Sequence, residues 1–291
     1  MKLRNQKFII LFSPLLLAAC SVSKHVPEGE YILDKVEVKS DQKEYDASPL
    51  VPYVRQKEKP KLFSLFKNPF TRRPVIFDTL QARLSCRDLL QAMQNQGYMN
   101  SGVSLLTEKK KKKLKATYLL HPGQPFTIGS VKYEVRDDRI QQLLHLDQPE
   151  NQMLKPGTRF TVEALDAERK RIAGLLSNQG YFRFNKDFIQ FAADTISGSR
   201  DIALTLQLMK YKANSSAPEV NHPRYVIRKV NYLSNDSDDI HLRRQVLLNA
   251  TAIKEGRPYD ASALQATYNN FARLQAVKYT NIRFTEMPDS N

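Results

Sequence analysis

The tetrapeptide Asn95-Gln96-Gly97-Tyr98 returns as Asn178-Gln179-Gly180-Tyr181, 83 positions further along the chain. Its surroundings return with it. Each glycine follows an aromatic residue by 20 positions, Phe77 in the first copy and Phe160 in the second. Behind each aromatic stands a residue suited to open a helix, Asp78 or Thr161. Such side chains accept hydrogen bonds from the free amides of a first turn, and the aromatic before them packs back as a staple. Leu84, Leu89, Leu90 and Met93 then keep helical spacing in one copy, as Leu165, Ile172, Leu175 and Leu176 do in the other; Ser85 offers a second start. A glycine ends a helix because it enters the left-handed conformation without a Cβ clash. The repeated tetrapeptide therefore reads as a helix exit. A third helix follows Tyr259-Asp260, with Leu264, Tyr268, Phe271 and Leu274, but its exit reads Leu274-Gln275-Ala276-Val277 and lacks the glycine.

Strand patterns flank these helices. Tyr31-x-Leu33-x-x-Val36-x-Val38 matches Phe126-x-Ile128-x-x-Val131-x-Tyr133 and Tyr225-x-Ile227-x-x-Val230-x-Tyr232. These segments are rich in β-branched and aromatic residues. A shorter first helix fits Ser48–Lys57, Arg139–Leu146 and Asp238–Leu248. Two strands follow each glycine exit: Val103–Thr107 with Leu114–Leu120, and Phe184–Ala193 with Ile202–Leu208, the last in clean alternation. The unit is strand, helix, helix, strand, strand. The fold class expected is α+β, in tandem βααββ units, each a small mixed three-stranded sheet with two helices on one face. The third unit is incomplete: Asn281–Glu286 can supply one strand and its central strand is missing. Either the chain is a fragment or the product of a truncated gene, the favoured reading, or the unit borrows a strand or is loosely folded.

The N-terminus carries an address. Lys2, Arg4 and Lys7 precede the apolar stretch Phe8–Leu17, which is too short to span a bilayer and reads as an export signal. Leu17-Ala18-Ala19-Cys20 resembles the lipobox of bacterial lipoprotein precursors. That resemblance implies a signal peptide over 1–19, cleavage before Cys20, and palmitate-type acylation of Cys20 as the covalent lipid. Ser21 next to it points to the outer membrane. Cys86 is the one other cysteine, so no disulfide framework supports the exported chain. Losing Lys2, Arg4 and Lys7 lowers the net charge from +15 to +12, which favours anionic headgroups or acidic partners. Nucleic acid is not expected for an exported, tethered chain.

No catalytic constellation stands out. The five histidines show no paired ligand spacing, and neither GxSxG, GxGxxG nor GxxxxGK occurs. The chain reads as a non-enzyme with no bound metal or cofactor. Two basic stretches invite either a solvated role or contact with an anionic membrane surface. One is Lys109, Lys110, Lys111, Lys112 and Lys113 at an expected hairpin tip. The other is Lys59–Lys67, where Lys61, Phe63, Phe66 and Lys67 interleave charge and apolar surface and either lie in a bilayer interface or cover a core.

The unit order resembles the polypeptide-transport-associated repeat, POTRA. The acylated cysteine, the Val26–Tyr31 opening and the tandem units resemble the periplasmic arm of the BamA/TamA family, in particular its TamA-like lipoprotein members. The resemblance implies POTRA-like units over 20–124, 125–213 and 222–291, on the periplasmic side of the outer membrane. It also implies a β-barrel partner and accessory envelope subunits. In such repeats the first strand of the hairpin lies at a sheet edge, where an extended client adds a strand through main-chain bonds. Phe184, Phe188, Ile189 and Phe191 are the candidate positions here, and unfolded outer-membrane β-barrel precursors the expected clients. The alternative is a free-standing lipoprotein scaffold docked on an envelope complex.

Overall fold

A computed structural model of the chain describes residues 26–58, 74–147, 149–195, 198–233 and 242–287. Cys20, the signal stretch and Lys61, Phe63, Phe66 and Lys67 lie outside the described residues. The chain divides into two compact units, Met1–Ala92 with Ser101–Pro122, and Met93–Asn100 with Gly123–Asn291.

In the first unit, β1 (Ile32–Ser40), β2 (Gly102–Lys110) and β3 (Lys113–His121) form a mixed sheet in the order β1-β3-β2. β1 runs parallel to β3 and β2 antiparallel to it. The middle strand buries Leu114, Ala116, Tyr118 and Leu120, following the alternation of its sequence, and on its other face also buries Thr117. Helix α1 (Thr79–Asn95) opens on Asp78, whose carboxylate accepts from the amides of Leu80 at 2.7 Å and Gln81 at 3.3 Å. Ser85 is not a second start. It is fully buried within α1, its hydroxyl donating to the Gln81 carbonyl at 2.8 Å and accepting from the Arg55 amide at 3.0 Å. The helix expected over Ser48–Lys57 is only a 3-10 turn, Ser48–Tyr53. Pro52 lies inside it and has no amide to continue an α-helix.

The second unit repeats the plan. β4 (Thr127–Glu134), β5 (Ile189–Thr195) and β6 (Asp201–Leu208) lie in the order β4-β6-β5, with α2 (Asp138–Leu146) and α3 (Val162–Ser177) on one face. Thr161 caps α3 by accepting from the Ala164 amide at 3.1 Å, and Asp137 caps α2. Ile140, Ile172 and Leu176 from the helices meet Ile189, Leu206 and Leu208 from the sheet. Burying such a side chain stabilises by roughly 1.5–3 kcal/mol, so this layer dominates the favourable side of folding.

The threefold sequence pattern is a threefold backbone pattern. The amides of Phe77, Phe160 and Tyr259 donate to the carbonyls of Tyr31, Phe126 and Tyr225 at 2.8, 3.0 and 2.9 Å. The amides of Leu33, Ile128 and Ile227 donate to Val75, Thr158 and Arg257, each at 2.8 Å. Both glycine exits are left-handed, with φ of 94° at Gly97 and 101° at Gly180. Beyond each, the tyrosine amide reaches back five residues, Tyr98 to Met93 at 3.0 Å and Tyr181 to Leu176 at 3.2 Å.

The third copy keeps its helices but not its strands. α4 (Arg244–Ala250) and α5 (Ala261–Ala272) pack through Leu247, Ala250 and Phe271, and Asp260 caps α5. The first of these begins later than the expected Asp238, and 238–241 lie outside the described residues. Neither Tyr225–Tyr232 nor Asn281–Glu286 forms a strand; a single bridge joins Val226 to Pro258. In both complete sheets the outer strands are held only through the middle one, and among the described residues the third copy has none. Instead Phe284 packs on Phe182 and Tyr259, both with ring centroids 5.3 Å away. Glu286 pairs with Arg183.

Candidate functional site

The hairpin of the second unit places β5 at the sheet edge, but the strand is not the one its letters suggested. Phe184–Ala193 was expected to run as one strand, whereas β5 begins only at Ile189. Asn185 accepts from the Asp187 amide at 2.8 Å and turns Lys186–Phe188 into a 3-10 turn. That local bond overrides the period-two pattern. The four candidate residues therefore divide. Phe184 and Ile189 are 5% and 1% exposed and belong to the core. Phe188 and Phe191 are half-buried at its margin.

A segment after β6, which the sequence reading missed, covers the aromatic end of the edge. His222 packs edge-on against Phe184 and Phe188, with centroids 4.8 and 4.6 Å away, and Tyr211 lies 6.3 Å from Phe188. Tyr211 bridges Val220, and the His222 ring nitrogen Nε2 meets the Met209 carbonyl at 2.9 Å. Burial pushes the His222 pKa down from its ordinary value, favouring the neutral ring at the aromatic contact.

Beyond that cover the backbone of β5 forms the candidate edge. The Met209 amide donates to the Phe188 carbonyl at 2.8 Å, and the register then pairs Ile189 with Leu208, Phe191 with Leu206 and Ala193 with Leu204. An antiparallel ladder bonds alternate residues. Gln190, Ala192 and Asp194 thus turn their main-chain groups to β6, and Phe191, Ala193 and Thr195 turn theirs to the open edge, whereas the Ile189 amide is taken by the Lys186 carbonyl. An extended segment can add there by main-chain bonds alone.

The basic hairpin tip forms as expected, with Lys111 and Lys112 in the turn between β2 and β3. Three of its five lysines have partners inside the first unit. The Lys109 ammonium lies 4.6 Å from the Tyr31 ring centroid, Lys112 donates to the Pro27 carbonyl at 3.1 Å, and Lys113 pairs with Asp34 at 2.7 Å. Among the described residues, Lys110 and Lys111 have no such contact.

A buried ion cluster also escaped the sequence reading. Glu168 is fully buried on α3 and accepts from Arg171 at 2.7 and 2.9 Å, the Tyr133 hydroxyl at 3.1 Å and the Met153 amide at 2.9 Å. Arg171 also pairs with Asp147. The cluster ties α3 to the segment before it. Among the described residues no group of three or more histidine, cysteine or carboxylate side chains is placed to hold a metal, and no helix is long and apolar enough to cross a membrane.

No family model and no curated protein matches the chain. Solved structures similar to it include POTRA domains 3–5 of BamA from Haemophilus influenzae, at 14% identity and a TM-score of 0.43, covering 92% of this chain and 95% of that one. The N-terminal domain of Omp85 from the cyanobacterium Thermosynechococcus elongatus is similar at 13% identity and a TM-score of 0.30, covering 84% and 85%. CdiB from Escherichia coli is similar at 8% identity and a TM-score of 0.26, covering 69% of this chain; the chain spans 30% of CdiB.

Proposed function

We propose that this chain is a lipid-anchored POTRA module on the periplasmic side of the outer membrane. Acylated through Cys20, it takes up unfolded β-barrel precursors by strand addition and passes them to a β-barrel partner. The observation that carries the reading is the open main-chain row of β5 at Phe191, Ala193 and Thr195. Recognition through backbone groups depends little on client side chains, which suits a module meeting many extended polypeptides. The lipobox-like Leu17-Ala18-Ala19-Cys20 and the net charge of +15 support a membrane-tethered chain. Lys110 and Lys111 add attraction for anionic headgroups.

Ala193→Pro tests it. This change removes one outward amide and leaves the bonds of β5 to β6 in place. Crosslinks from a photoreactive residue at Gln190 to unfolded precursors should fall severalfold while the melting temperature holds. Crosslinking that persists at the level of the unsubstituted chain rules the edge out. Labelling with a radioactive fatty acid, lost on Cys20→Ala, tests the anchor separately.

A further inference from the structure

One arginine beside this edge is unaccounted for. Arg169 projects from α3 with its guanidinium carbon 5.3 Å from the ring centroid of Phe191. Its Nε is buried, and among the described residues it has no hydrogen-bond partner. Its neighbours on the helix are already engaged. Asp166 binds Lys170 at 2.8 Å and Lys186 at 2.7 Å, and Glu168 binds Arg171. A guanidinium carries five donors in a rigid fork and cannot shed its charge, so a half-buried one without an anion is an unfinished recognition element. The ring it covers belongs to a residue whose own amide and carbonyl face the open edge.

We propose that Arg169 selects acidic segments: a strand adding to β5 places an aspartate or glutamate beside Phe191, on the helix-facing side of the sheet, where Arg169 binds it. The inference rests on strand addition at β5 and names the side-chain chemistry that such addition prefers. Charge complementarity sets the choice, because an ammonium or an apolar group at that place would leave the guanidinium unpaired. The first unit supplies an internal contrast. The offset that carries Gly97 to Gly180 carries Cys86 to Arg169. Leu105 opposes Tyr118 in the first sheet as Phe191 opposes Leu206 in the second. With a thiol and an aliphatic side chain in the two positions, the edge of the first unit has no reason to prefer an acid.

The test uses the full chain and three fluorescent eleven-residue peptides of alternating valine and threonine. One carries aspartate at its centre, one asparagine there, and one aspartate shifted by a single residue to the opposite face. The centred aspartate should bind about tenfold tighter than either of the others, the step from a neutral to a charge-assisted hydrogen bond. Arg169→Gln should erase that preference and leave the asparagine affinity unchanged, while Arg169→Lys retains part of it. Thermal unfolding of Arg169→Gln should match the unsubstituted chain. Equal binding of all three peptides, with Ala193→Pro weakening each, overturns the role of Arg169 and keeps the edge. An aspartate preference that survives Arg169→Gln assigns it to the basic surface at large and also overturns the proposal. Binding that ignores Ala193→Pro removes strand addition at β5 itself.

Discussion

The carbonyl of Gly180 accepts a hydrogen bond from the Tyr225 amide at 2.8 Å, and the carbonyl of Gly97 accepts one from the Phe126 amide at the same distance. The repeated helix exit thus serves twice, ending a helix and seating the backbone that opens the next copy of the pattern. A side chain fits at neither position. A Cβ on Gly97 would lie 2.4 Å from the Phe160 carbonyl oxygen, and one on Gly180 would lie 2.7 Å from Cγ of Arg224.

Gly97→Ala should therefore cost more than Gly180→Ala. Both pay the left-handed penalty of about 1–2 kcal/mol, but at Gly97 the nearest obstacle is backbone, whereas at Gly180 it is the Arg224 side chain, which can shift by giving up the bond from its Nε to the Gln179 carbonyl. Gly157→Ala, also left-handed at φ 83° with nothing near the added methyl, sets the baseline. Urea unfolding of the three variants should rank them 97, 180, 157 in order of loss. Equal losses at all three would deny the steric part of the joint.

What the letters revealed and what they hid separates by range. Asp78, Thr161 and Asp260 cap their helices as read, because a cap involves only the next three residues. Gly97 and Gly180 were legible for the same reason. Phe184–Ala193 was misread because one side chain, Asn185, captured a nearby amide, and because His222 arrives from far along the chain to cover Phe184 and Phe188. Glu168 and Arg171 look in sequence like any surface pair one turn apart. Only Tyr133, Met153 and Asp147, distant in sequence, turn them into a buried cluster. The strands of the third copy have strand-forming letters, but a strand exists only through its ladder.

Removing one member of that cluster should be severe. Arg171→Met leaves the Glu168 carboxylate fully buried without its cation, a loss of about 3–5 kcal/mol. Exchanging both, as Glu168→Leu with Arg171→Met, should recover part of it, because the Glu168 charge goes too while Asp147 still lacks its cation. Chemical denaturation of the single and double variants gives the comparison. A double variant as unstable as Arg171→Met alone would show that the bonds to Asp147, Tyr133 and Met153, and not the uncompensated Glu168 charge, set the loss.

The hairpin tip offers a gain. Lys111 sits at φ 56°, a left-handed conformation that a long side chain adopts at a cost. Lys111→Asn suits that backbone and should add about 0.5–1 kcal/mol, read as a rise of several degrees in melting temperature. Lys110→Asn, one residue earlier and within β2, should not. If both behave alike, the gain comes from relief of lysine repulsion.

Acid should act on the first sheet through Glu37. The ammonium of Lys35, 2.5 Å away, and then that of Lys39 at 2.8 Å hold its carboxyl down to about 2 from an ordinary 4.5, with Lys115 adding to the effect. A carboxyl whose folded value is depressed stabilises the fold above its unfolded value and loses that contribution as pH falls through the folded one. Glu37→Gln should therefore melt below the unsubstituted chain at neutral pH. The two melting curves should converge between pH 4.5 and about 2. Raising the salt concentration should narrow the gap at neutral pH, because these charges are close to solvent. A gap that stays constant down to pH 2 would mean that the ion cluster contributes nothing and that only the shape of the side chain matters.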